Sequence, residues 1–246
     1  MTTTDDLEIP EFLRRDKDNK LPDVAPVVKP LVFSYSILNN YDNVCPHQTF
    51  RRYVKKDLPF VETLAMKKGN EIHTAMEYRI GGKPLPIHMQ HWEPFVKPIA
   101  DKNARAELKL GITSEGKPTG FFDKDVWCRG KADAVIIQND SAFLVDWKSG
   151  GSKYENSFEI EMQAMMLKAA NPYLVRIAGC YAWLAENRMG TTYDLSDFSS
   201  TWAKVNNIAE QIKDDMASGE WEKRKGPLCG YCPCTDCENW YEAKPK

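Results

Sequence analysis

Residues 129–150, RGKADAVIIQNDSAFLVDWKSG, decide how this chain folds. KADAVIIQ and AFLVDWKS both have strand character, and Asn139-Asp140 between them is a turn signal, so the stretch reads as a β-hairpin. Asp133 sits among apolar neighbours on the first strand. Asp146 and Lys148 stand two apart on the second, so their side chains share a face. The hairpin can set Asp133 opposite Asp146, crowding two acids and a lysine at the end of a buried sheet. Close carboxylates repel, and burial disfavours the charge on each. A divalent cation removes the conflict. Hard oxygen ligands suit Mg²⁺ or Mn²⁺, with water and substrate phosphate at the remaining positions. Lys148 would then orient or deprotonate a metal-bound water, or stabilise charge on a phosphate. The plainer alternative is a surface hairpin with a Lys–Asp pair.

Downstream of the hairpin, SFEIEMQAMMLKAA reads as a helix ending before Pro172, with Met162, Met165, Met166 and Ala169 as a core stripe. Gln163 is one step off that stripe and could face the site. VRIAGCYAWLA is a near-continuous apolar run, hence a buried central strand, and TTYDLS could pair at its edge. Residues 197–217 form a helix that packs Phe198, Trp202, Val205, Ile208, Ala209 and Ile212.

Upstream, AELKLGI alternates as a strand, and its Glu107 could point to the core or to the site. Gly130 would allow close approach just before Asp133. Residues 61–80 read as a helix whose apolar face carries Leu64, Ala65, Ile72, Ala75 and Met76, with Gly69 a weak point. His73 lies on or beside that face, where a lone histidine is more often a satisfied core residue than a ligand. His88 and His91 fall in a Pro-rich stretch and read as surface residues. Earlier still, Ser34 or Ser36 can cap a short helix that Cys45-Pro46 interrupts. Arg51, Arg52, Lys55 and Lys56 form a basic cluster, read as a solvated helix face. Residues 1–29 are polar and charged, a mobile tail in expectation, with a single domain over residues 30–246.

Composition sets bounds. The chain has 246 residues, 42% apolar and 28% charged, with a net charge of −2. That is enough for one large α/β core and leaves no global basic footprint, so any nucleic acid would be held by local patches and by metal. The opening residues lack the apolar core of a signal peptide, and no run approaches membrane-spanning length, so the expectation is a cytoplasmic protein without membrane contact. No G-x-G-x-x-G or G-x-x-x-x-G-K-[ST] is present, which removes dinucleotide and P-loop readings. The element order, helix, strand, hairpin, helix, strand, helix, gives a mixed central sheet flanked by helices.

Seven cysteines without a secretory signal suggest reduced thiols or metal ligands. Cys229, Cys232, Cys234 and Cys237 make two CxxC pairs separated by one residue. That is too dense for a zinc ribbon, whose pairs sit ~15–20 residues apart. Thiolates so gathered still argue for a metal. Cys128 and Cys180 read as small buried apolar residues.

Together these pieces resemble the RecB-like branch of the PD-(D/E)XK nuclease superfamily, whose members share a restriction-endonuclease-like fold. Ser34-Tyr35-Ser36 through Cys45-Pro46 and Phe50 is similar to its opening motif. GNEIH is similar to its helix ending in a metal-binding histidine. RGKADAV and LVDWKSG are similar to its G-x-x-D and D-x-K strands, and FEIEMQAMMLKA to the helix that follows. Leu167 stands where the family often has an aromatic residue. The resemblance spans about Val32 to Trp240. It implies His73, Asp133 and Asp146 as metal ligands, joined by the Trp147 carbonyl, with Glu107 a further acid. Lys148 would position the attacking water and Gln163 would assist.

The same resemblance implies a [4Fe–4S] cluster on Cys45, Cys229, Cys232 and Cys237, with Cys234 spare and segment 227–240 cysteine-rich. Zinc and an unliganded knuckle are the alternatives. The implied activity is Mg²⁺- or Mn²⁺-dependent hydrolysis of DNA, by an exonuclease or end processor working with recombination, repair or replication proteins in a bacterial or phage-infected cell. The rival is a non-catalytic DNA-binding or assembly protein. A junction-cutting endonuclease would need a symmetric dimer.

Overall fold

A computed structural model describes residues 30–58 and 61–243. The expected N-terminal tail, residues 1–29, lies outside the described residues.

The hairpin forms as its sequence requires. Strand β1 runs Arg105–Ile112, β2 Cys128–Gln138 and β3 Ser141–Lys148, pairing antiparallel in that order. Asn139 closes the β2–β3 turn with a φ of 54°, a conformation asparagine tolerates well. Strand β4, Arg176–Trp183, pairs parallel to β3, as its apolar text anticipates. Two short strands, β5 (Arg188–Met189) and β6 (Tyr193–Asp194), finish a six-stranded mixed sheet.

Helices cover both faces. One carries α1 (Tyr35–Asn39), α5 (Phe158–Ala170) and α6 (Ser199–Ser218), while the short α2 (Pro46–Thr49) contributes no residue to that core. There Leu144, Ala142 and Ile177 of the sheet pack with Ile160, Met166 and Ile208. The other carries α3 (Leu64–Ile80) and α4 (Glu93–Ala100), with Ile72, Met76 and Val96 against Val145, Trp147 and Ala182. A Cβ on Gly130 would meet the terminal methyl of Met166 on α5 at 2.8 Å. Among the described residues, no helix is long and apolar enough to cross a membrane.

Three readings need correction. Leu64, expected on the apolar face of α3, is 85% exposed, because the first turns of that helix overhang the core. Helix α4 was hidden by Pro94 and Pro98 in EPFVKPIA; Pro94 sits in the first turn, where a missing N–H costs nothing. Arg51 is no solvated face residue: it bridges Asp57 and Asp236, tying the early helices to the C-terminal segment.

One distortion matters for function. Even-numbered Cys128 and Ala132 of β2 pack on the α5 side, but even-numbered Ala134 and Ile136 pack on the α3 side. Strict alternation would put all four on one face. On β1, Leu108 and Leu110 pack on the α5 side, whereas Ala104 just before the strand packs on the α3 side. The pleat therefore resets between these positions, at Glu107 and Asp133. Glu107 has a φ of 50°, a left-handed conformation rare for a residue with a side chain, and such strain gathers at functional sites.

Candidate active site

The pleat reset opens a row of polar residues across the sheet. The β1–β2 register runs Ala106↔Ala134 and Leu108↔Ala132, which sets Glu107 against Asp133 with their own pairing interrupted. The β2–β3 register ends at Ala134↔Val145, and its continuation sets Asp133 against Asp146. Asp146 in turn pairs with Tyr181 on β4. Where the β2–β3 ladder stops, the Trp147 N–H donates to Asp133 Oδ2 at 2.9 Å, fixing that carboxylate.

Helix α3 delivers His73 to this row. Its Nδ1 lies 3.3 Å from Asp133 Oδ1. His73, Glu107 and Asp133 each place a ligand atom within 4.8 Å of the other two. Asp133 is 8% exposed, and burial raises its pKa, with the Asp146 charge adding to the rise. Burial works against protonated His73, but its hydrogen bond to Asp133 and that residue's charge raise its pKa overall. The pair thus holds a proton that a bound cation would displace. Glu107 is ion-paired with Lys131.

Asp146 is held differently. It is 3% exposed; Gln163 Nε2 donates to its Oδ1 at 3.0 Å, and Lys148 Nζ lies 2.7 Å from its Oδ2. That second contact is an ion pair without hydrogen-bond alignment, so Oδ2 stays buried without a hydrogen-bond donor, as does Gln163 Oε1. The Lys148 ammonium compensates Oδ2 electrostatically, whereas Gln163 Oε1 has no such partner and costs about 1–3 kcal/mol. Asp146 falls outside the tight His73–Glu107–Asp133 group. Gln163 touches Asp146, which makes it a positioning residue.

Two neighbours of Lys148 were not anticipated. Glu159 Oε2 lies 2.5 Å from Lys148 Nζ, so the ammonium is clamped between two carboxylates. Burial disfavours the charge on Lys148, but Asp146 and Glu159 more than offset it and raise its pKa. Burial, reinforced by Asp146, pushes the Glu159 carboxyl up to about 7, with Lys148 pulling the other way. The signal existed: Glu159 is four residues before Gln163, on the same face of α5. The second neighbour is Tyr181, whose ring centroid is 5.2 Å from Lys148 Nζ. Leu167 is fully buried.

These groups line an open cavity of about 910 Å³ between α1, α3, α5 and the sheet, with Gly69, Ser34 and Met162 on its walls. His88 and His91 lie elsewhere on the surface, as expected.

No family model matches the chain, and no curated protein does. Among solved structures, the crystal structure of SSO0001 is a looser match: 15% identity, TM-score 0.46, covering 85% of this chain and 86% of that one. The crystal structure of a "Putative exonuclease" from Eubacterium rectale covers 88% of this chain and 91% of its own, at 10% identity and a TM-score of 0.51. The chain shares its fold with that protein.

A second cavity, of about 280 Å³, is lined by Cys45, Cys229, Cys232, Cys234 and Cys237. Cys45 precedes α2 and the other four lie beyond α6, so long-range contacts must assemble them. The His47 N–H donates to Glu222 O at 3.0 Å, Phe50 stacks on Trp221, and Arg224 donates to the carbonyls of Tyr41 and Asp42. Gln48 Nε2 reaches Cys232 Sγ at 3.1 Å. Cys234 is 1% exposed, and burial pushes its thiol up to about 12, as for an inert packing residue. Four thiolates around one zinc would stand about 3.8 Å apart, given Zn–S bonds of about 2.3 Å. Among the described residues, no three cysteine sulfurs lie within 4.8 Å of one another. Cys128 and Cys180 are buried strand residues, as expected.

Proposed function

We propose that this chain is a metal-dependent deoxyribonuclease of the RecB-like PD-(D/E)XK type, with residues 30–246 as its single nuclease domain. It would act as an exonuclease or DNA-end processor in recombination, repair or phage replication. The observation that carries this reading is the row Glu107–Asp133–Asp146 met by His73 on one side and Lys148 on the other.

The donor set fits a hard divalent cation such as Mg²⁺ or Mn²⁺: one imidazole nitrogen, carboxylate oxygens and a buried oxygen of Asp146 lacking a donor. His73, Glu107, Asp133 and Asp146 would hold it, with the Trp147 carbonyl as a further ligand. When bound, the cation supplies Lewis acidity toward a phosphate and acidifies water. The chain's own residues then orient the reaction. Trp147 N–H locks Asp133, Gln163 locks Asp146, and Glu159 holds the Lys148 ammonium beside the row. From there Lys148 positions the attacking water and stabilises charge developing on the phosphate.

Cys45, Cys229, Cys232 and Cys237 line one cavity and would hold a [4Fe–4S] cluster as the resemblance implies, with zinc as the alternative. Such a cluster would tie the early helices to the C-terminal segment.

The test is degradation of end-labelled DNA with Mg²⁺, with EDTA as control, for wild type and Asp146→Asn. Wild type should cleave only with the cation, and Asp146→Asn should lose at least about a hundredfold in rate while still binding DNA. EDTA-resistant cleavage, binding without cleavage by wild type, or wild-type turnover by Asp146→Asn would each overturn the assignment.

A further inference from the structure

The loop between β1 and β2 carries a feature that folding does not explain. Gly120, Phe121, Phe122 and Asp123 form a tight turn, with Asp123 N–H donating to Gly120 O. Both central positions are phenylalanines. Phe122 is 74% exposed, and Phe121 lines the active-site cavity. Their rings meet edge-on with centroids 4.9 Å apart. Phe121 is half-buried, but Phe122 at the loop tip gains almost nothing from burial, and an exposed aromatic beside a cleft suits a binding surface.

The turn is built rather than loose. Asp123 Oδ2 accepts the Gly120 N–H at 2.8 Å, and Thr119 Oγ1 donates to Asp125 Oδ1 at 2.8 Å. Asp123 and Asp125 are thereby engaged in holding the turn. Its far end is anchored where Trp127 meets Trp202 of α6, ring centroids 5.7 Å apart.

Cations surround the rings. The Arg129 guanidinium lies 4.8 Å from the Phe121 centroid and 5.7 Å from that of Phe122, and Lys109 Nζ lies 5.4 Å from Phe122. Neither cation is ion-paired to a carboxylate among the described residues. Strand register connects this patch to the candidate metal site. Beside the Glu107–Asp133 row comes Lys109↔Lys131, and beyond it Gly111↔Arg129. At about 3.3 Å per residue, Arg129 is roughly 13 Å along the strand from Asp133. A basic track of Arg129 and Lys109, continued by Lys131 where it is ion-paired with Glu107, thus leads from the acidic row to the aromatic turn, spanning a few nucleotides.

We propose that the Phe121–Phe122 turn, with Lys109, Arg129 and Lys131, is a subsite for unpaired nucleotides that stacks a base on Phe122 and guides the single strand's phosphates into the cleft. Basic residues tracking a backbone beside aromatic rings are the recognition chemistry of single-stranded nucleic acid. A duplex offers no free base face away from its ends, so the subsite selects single strands or frayed ends. The proposal rests on the nuclease reading for its direction toward the cleft, and its test does not depend on cleavage.

The experiment measures the binding of a fluorescein-labelled oligothymidylate, and of a blunt duplex of equal length, by anisotropy in EDTA. Wild type should prefer the single strand. Phe122→Ala should weaken single-strand binding roughly tenfold, leave duplex binding and melting temperature unchanged, and Phe122→Trp should restore it. Equal oligothymidylate affinity for wild type and Phe122→Ala, or an equal loss for single strand and duplex, overturns the subsite. Asp146→Asn, assayed alongside, separates the two ideas. Its retained binding with lost cleavage supports the nuclease reading whatever Phe122→Ala does. Its retained cleavage would defeat that reading and leave the binding result standing.

Discussion

The acidic cleft takes its donors from four regular elements, α3, β1, β2 and β3, whereas the cysteine cavity takes its thiols from a break between short helices and a run of turns beyond α6. In the cleft, Asp133, Asp146 and Lys148 are fixed by a backbone N–H, a glutamine and a second carboxylate. In the cysteine cavity the joining contacts are long-range, among them Gln48 to Cys232, Arg51 to Asp236, Phe50 to Trp221 and Arg224 to the Tyr41 and Asp42 carbonyls. The difference teaches where each site's stability comes from. On the proposed reading, a cleft framed by sheet and helix would stand without a cation, so removing one would affect chemistry. A cavity framed by turns would depend on any metal its thiols held, and there binding energy would become folding energy.

The comparison breaks if either site behaves like the other. The larger effect of the next two tests is expected at Glu159. Replacing it by Gln removes one of the two carboxylates that clamp Lys148 while keeping its volume. The cleavage rate should fall roughly 10- to 100-fold, as for other residues that orient catalytic groups, with the melting temperature essentially unchanged. An unchanged rate would leave Asp146 alone to position Lys148.

A smaller effect, on stability, is expected at Cys45. Cys45→Ala should release the bound metal and lower the melting temperature by roughly 5 °C, since about 1 kcal/mol shifts a chain of this size by about 2–4 °C. Cleavage per folded molecule should stay near wild type. Iron analysis and a calorimetric scan measure the first two, and a rate corrected for folded fraction measures the third. Full metal content in the variant would remove Cys45 from the site.

Much of the cleft was legible because its parts lie close in sequence. Asp133, Asp146 and Lys148 fall within one hairpin, where the turn signal fixes register and alternation puts Asp146 and Lys148 on one face, though not the reset at Asp133. Gln163 follows on the next helix. Other parts were not. The pleat reset at Glu107 is a backbone event, and nothing in AELKLGI announces a left-handed glutamate. His73 looked like a core residue because Ile72 and Met76 beside it are core residues. Only the likeness of GNEIH to a family motif raised it as a ligand, and the structure sets it 3.3 Å from Asp133. Glu159 could have been found from its spacing to Gln163. The meeting of Cys45 with the C-terminal cysteines had no local signal, since it depends on contacts across nearly the whole fold.

The account turns on whether His73 and the acidic row form a divalent-cation site. The direct measurement is Mn²⁺ binding by wild type and His73→Ala, read by paramagnetic resonance of the free ion. Wild type should bind the ion in the cleft, and His73→Ala should bind it at least roughly tenfold more weakly, with its melting temperature in chelator unchanged. Equal Mn²⁺ affinity in the two proteins would contradict the account.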